Sequence, residues 1–126
     1  MKIVIPFKTP TINHLYGFRG FHKFMTKEAK ELKEKIKEVI SQSSNHLSDE
    51  GKYWGKGLFV SVEIHENWLT KKGLVARKDI ANREKFLIDS VFEALGIDDK
   101  FIFEHNMRKI QSNEEQAIIT IEVLNE

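Results

Sequence analysis

The chain has no cysteine, which excludes disulfide frameworks, thiolate zinc sites and cysteine nucleophiles together. Any chemistry it performs falls to oxygen and nitrogen groups. It has no dominant charge either: 20 Lys and Arg against 19 Asp and Glu leave a formal net charge of +1. The field of the whole molecule therefore does not point to nucleic acid, and affinity for DNA has to come from local clustering. No apolar run approaches the length that spans a bilayer. The opening MKIVIPF is a short apolar burst broken by Pro6, which suits a first strand better than a signal peptide, so a cytoplasmic protein with no membrane partner is expected. The five histidines (His14, His22, His46, His65 and His105) form no i, i+4 metal pair, no serine sits in a nucleophile elbow, and no glycine loop cradles phosphate.

What is present describes one globular domain over 1–126, with 126 residues, 40% hydrophobic and 31% charged. MKIVIPF reads as a strand and KTPTINHLYGFRG as an irregular loop. From Thr26, an expected N-cap, Ala29, Leu32, Ile36, Val39 and Ile40 recur at helical spacing. SQSSNHLSDEGKYWGKG is a polar connection that links elements without dividing domains, and LFVSVEIHE alternates as a strand. WLTKKGLVARK follows as a loop with four basic residues and no acid before Asp79. A second helix carries Phe86, Leu87, Ser90, Val91, Ala94 and Leu95 on one face and ends at Gly96. FIFEHNMRKI and AIITIEVL are expected to be strands, joined as a hairpin through QSNEEQ. The order β, α, β, α, β, β predicts an α+β domain, a mixed sheet of about four strands packed with two main helices.

Asp79, at the mouth of the second helix, is a standard helix cap when taken alone. Its company suggests more. Asn82 and Lys85 follow on the first two turns, and Asp98 and Asp99 stand where the helix hands over to the next strand. A hard divalent ion such as Mg2+ takes oxygen ligands, keeps several waters and needs only one or two protein carboxylates. Such an ion suits phosphodiester hydrolysis, with a lysine such as Lys85 offsetting charge in the transition state. Asp98 and Asp99 also read as ordinary turn residues, and spacing does not choose between them. Lys71, Lys72, Arg77, Lys78, Arg83 and Lys85 converge on this acidic site as phosphate contacts. The early loop, with Asn13, Tyr16, Phe18, Arg19, Phe21 and Lys23, mixes aromatic and basic groups as strand-binding surfaces do, or is pinned to the core by its aromatics.

In this order the pieces resemble, from end to end, the RusA family of Holliday junction resolvases. PTINHLY is similar to the family's early P-x-x-N-x-x-Y pattern, and KEAKELKEKI is a helix in the expected place. KDIANREKFLIDSVFEALGIDDK resembles its most specific signature, a basic residue leading into D-x-D-N-x-x-K and an apolar helix ending in a turn with D-D. The resemblance implies a RusA-like fold and a homodimeric, Mg2+-dependent endonuclease that cuts four-way DNA junctions by paired nicks. It implies that Asp79 and Asp99 are metal ligands, that Lys85 is the catalytic lysine, and that Lys78 is the basic residue preceding the acids. The family's middle aspartate falls on Ala81. A methyl group cannot coordinate a metal, so a folded protein with little or no cleavage is expected. Two origins fit: an Asp-to-Ala change that inactivated a working enzyme, or a member that has drifted to binding without cutting. The chief rival is a non-catalytic branched-DNA-binding protein, and a further rival is a small α/β protein whose acids merely cap and turn.

Overall fold

The computed structural model describes residues 1–10, 15–42, 56–78 and 80–124, with the backbone alone at Asn82. Among these residues six strands and two helices follow in chain order: β1 (Lys2–Ile5), β2 (Tyr16–Arg19), β3 (His22–Met25), α1 (Lys27–Gln42), β4 (Leu58–Glu66), α2 (Ala81–Leu95), β5 (Ile102–Gln111) and β6 (Gln116–Val123). A 3-10 turn, Asp99–Phe101, joins α2 to β5. The fold is α+β, a mixed four-stranded sheet with two helices and a separate two-stranded hairpin.

Both helices form where the apolar spacing places them. Thr26 caps α1, its Oγ1 accepting the Ala29 N–H at 3.1 Å. Ala29, Leu32, Ile36 and Ile40 are its buried face. At the other end of the core α2 stops at Gly96, whose φ of 72° opens the left-handed cap. The N–H groups of Gly96 and Ile97 then satisfy the carbonyls of Glu93 and Phe92.

The sheet order is β1-β6-β4-β5. In β4 every second residue from Leu58 to Glu66 is buried, so one face of the sheet meets the helices. Ile3 and Ile5 of β1 and Ala117, Ile119 and Ile121 of β6 complete that face, in one core with Phe86, Leu87, Val91 and Leu95 of α2. On the opposite face polar pairs cross between strands, with the Ser61 hydroxyl donating to Asn106 Oδ1 at 2.9 Å.

Two expectations need correction. The last two strands are not a hairpin: β4 lies between them, parallel to β5 and antiparallel to β6. Residues 112–115 step over the end of β4, two strand spacings or about 10 Å, and the Ser112 N–H donates to the Glu66 carbonyl at 3.0 Å on the way. Nor is the early loop irregular over its whole length, because β2 and β3 pair antiparallel from Tyr16↔Met25 to Arg19↔His22.

Candidate functional site

The site is built around the start of α2. Its N-cap position is Ile80, which offers no side-chain acceptor, and the first helical bond runs from the Glu84 N–H to the Ile80 carbonyl at 2.9 Å. Asp79 and Asn13 lie outside the described residues, as does the side chain of Asn82. Ala81 is the first helical residue and is exposed. Its methyl group has no part in the core, and an acid there would sit favourably at the helix N-terminus.

Behind this turn stands a residue the sequence reading passed over. Glu66, at the end of β4, is 1% exposed. One carboxylate oxygen accepts from Arg83 Nη1, the other from Lys78 Nζ at 3.2 Å. Lys78 also donates to the Asn67 carbonyl at 2.8 Å. Glu66 thereby ties down both flanks of the 79–82 segment. The indole of Trp68 packs beside the pair, its Nε1–H donating to the Ile64 carbonyl at 3.0 Å, with Arg83 at 5.2 Å and Lys109 at 4.9 Å from the ring. The available signal was an acid in core register on β4, in line with Leu58, Val60, Val62 and Ile64.

Charge clustering suggested Arg83 as an exposed DNA contact, but the structure buries it. Only 1% of it is exposed, and its guanidinium is held by Glu66. Releasing it to a phosphate would strand a buried carboxylate. Arg77 is exposed and Lys78 partly so. Lys71 and Lys72 are exposed on a tight turn closed by the Leu69–Val75 bridge, with Gly73 at φ 77°.

Lys85 points outward, one turn into the helix, and donates to Asp89 Oδ2 at 3.3 Å. That hydrogen bond and the charge of Asp89 raise its pKa; burial opposes them weakly, and Tyr16 and Asp99 add to the rise. The amine stays protonated, which suits charge stabilisation and not general-base work. Next to it Glu84 turns inward, 3.2 Å from His105 Nε2 on β5. Burial pushes the Glu84 carboxyl up, His105 pulls it back, and the charge of Asp89 raises it further.

The acidic turn separates its two residues. Asp98 caps the 3-10 turn, its Oδ1 accepting the Lys100 N–H at 2.9 Å. Asp99 is exposed, and its carboxylate makes no hydrogen bond or ion pair among the described residues. Asp98 has a structural task, and the Asp99 carboxylate is left exposed.

The family model for Endodeoxyribonuclease RusA matches residues 6–122. The chain belongs to the RusA family. No curated protein matches it significantly. RusA endonucleases are Holliday junction resolvases that act on branched DNA, and they generally depend on a divalent metal. Among the described residues there is no group of three or more His, Asp or Glu that would bind an ion, and Asp79 lies outside them. Among the described residues no helix is long and apolar enough to cross a membrane.

Proposed function

We propose that this chain is a RusA-type resolvase scaffold that binds four-way DNA junctions as a homodimer and cuts them poorly or not at all. The observation that carries the reading is the family match over residues 6–122 combined with Ala81, exposed at the head of α2 within an otherwise intact motif. Asp79 and Asp99 are the residues proposed to remain as metal ligands. Lys85 is proposed to steady charge on the phosphodiester. Tyr16, Arg19, Lys23, Arg77 and Lys78, with Asn13, are proposed to contact DNA. Mg2+ is the proposed ion, one domain the proposed unit, and the cytoplasm the proposed location.

Support for the lysine role comes from its protonated state and outward position beside Asp99 in the electrostatic sense. Paired nicks on opposed strands require two sites related by a two-fold axis. The edge strand β5, ten residues long and exposed almost throughout, is a surface that a second copy of the chain would protect. Equilibrium sedimentation returning only monomer would count heavily against this part of the reading.

The test is binding to a labelled four-way junction and to a linear duplex of equal length, at two salt concentrations with Mg2+ present. Preference for the junction that weakens steeply with salt is expected, because phosphate contacts release counterions. Equal, salt-insensitive association with both would remove the support for a resolvase scaffold.

A further inference from the structure

The first 27 residues hold five Lys or Arg and two His, and the first acid of the chain is Glu28. Within that stretch the β2–β3 hairpin leaves the body of the protein at Leu15, which is fully buried, and returns at Thr26, whose N–H donates to the Leu15 carbonyl at 2.9 Å. Four residues per strand carry its tip about 13 Å from this anchor. The turn is Gly20-Phe21, with Gly20 at φ 60°, the left-handed region that glycine enters without strain.

The hairpin is braced along its length. The Phe24 ring lies over Gly17, where an added Cβ would come within 2.5 Å of it. Lys23 Nζ stands 4.1 Å from the centre of the Tyr16 ring, and the Arg19 guanidinium 5.7 Å from that of Phe24. These contacts hold the cations along the shaft. Phe18, at 70% exposure, and Phe21, fully exposed, remain turned to water. An apolar tip on a braced hairpin contributes nothing to the core, and two aromatic side chains exposed on one short hairpin are available for an interaction.

We propose that Phe21, with Phe18 behind it, is a wedge that stacks on exposed bases at the branch point of a DNA junction while Arg19 and Lys23 hold the flanking phosphates. The inference rests on the junction-binding reading above and adds the means of telling a branch from a duplex. A phenyl face stacks on any base, so it needs no sequence preference. Unstacking costs least where pairing is already interrupted, which directs such a wedge to a branch. The acid-free stretch matches a polyanion better than a protein surface of mixed charge. Tyr16, at the foot of the hairpin, is among the groups whose charge acts on Lys85, so the base of the hairpin lies near the candidate cutting site.

The experiment compares the native chain with Phe21→Ala, Phe21→Leu and Phe21→Trp on a four-way junction and on linear duplex, with 2-aminopurine at the branch point as a stacking reporter. Phe21→Ala and Phe21→Leu are expected to lose about 5- to 150-fold in junction affinity, the range set by stacking on one base. Duplex affinity should be unchanged, and the 2-aminopurine response should be lost. Phe21→Trp should keep both. Equal junction binding by Phe21→Ala and the native chain overturns the wedge and leaves the junction-binding reading standing. If Phe21→Leu keeps full affinity, a general apolar contact replaces stacking. If Phe21→Ala instead changes the oligomeric state, the hairpin is a subunit contact and the wedge is wrong. Failure of the native chain to prefer the junction overturns both proposals.

Discussion

The start of α2 and the tip of the β2–β3 hairpin use the same side-chain types in opposite ways. At α2 an arginine and an aromatic ring, Arg83 and Trp68, are buried around Glu66. On the hairpin Arg19, Phe18 and Phe21 face water, and no acid lies nearby in the chain. The difference is the counter-charge. Arg83 has an internal carboxylate and therefore a structural task, whereas among the described residues Arg19 and Lys23 meet aromatic rings and no carboxylate. Basic residues thus divide into those held by a buried carboxylate and those left exposed.

The largest effect that would break this comparison is at Glu66. Replacing it by Ala leaves Arg83 buried and unpaired, and a loss of about 3–5 kcal/mol is expected in urea denaturation. A loss under about 1 kcal/mol, the range of an exposed pair, would mean that the cluster is wet and that Arg83 is available to DNA after all. By contrast, Phe21→Ala should change stability by no more than about 0.5 kcal/mol, as surface substitutions do.

Smaller effects sharpen the picture around Lys85 and between the helices. The native pKa of Glu84 is raised, so its proton is held more tightly in the folded chain than in the unfolded one. That contribution is fully present below the ordinary value of 4.5 and is lost as pH rises through the raised native value. Measured from about pH 4 to about pH 7, the stability of the native chain relative to Glu84→Gln should fall; a relative gain would mean that the His105 pair outweighs burial. Lys33 and Glu93 join α1 to α2 on the surface, and the bond to Lys33 lowers the Glu93 pKa. This pair contributes above the ordinary carboxylate value and is lost as pH falls through the lowered one. Lys33→Ala should cost less than about 1 kcal/mol at neutral pH and nothing measurable in strong salt.

Local patterns were legible in the sequence where one element settles its own form. Thr26 and Gly96 bound the two helices because capping is local chemistry, and the apolar spacing of Leu32, Ile36, Phe86 and Val91 chose the buried faces. Strand pairing is not local. SNEE between β5 and β6 looks like a hairpin turn, but β4 takes the slot between them through a parallel pairing that no short window shows. The β2–β3 hairpin escaped notice because its strands have four residues each and its turn is Gly-Phe and not one of the common pairs. At the site, Lys85 and Asp99 were visible as a motif, and the structure separates Asp99 from the capping Asp98. The burial of Arg83 was not legible, because charge in a sequence is taken as exposed until a buried partner is found, and Glu66 lies 17 residues away on another element.

The most direct measurement is the junction-cleavage assay on the native chain beside Ala81→Asp, with Mg2+ and with the metal chelated. Position 81 is exposed at the head of a helix, so the substitution should leave the fold intact. The expected result is junction binding by both proteins, with paired nicks from Ala81→Asp alone and only when Mg2+ is present. Efficient cutting by the native chain, or an Ala81→Asp protein that binds the junction and stays inert, would contradict the claim that this is a resolvase site silenced at one position.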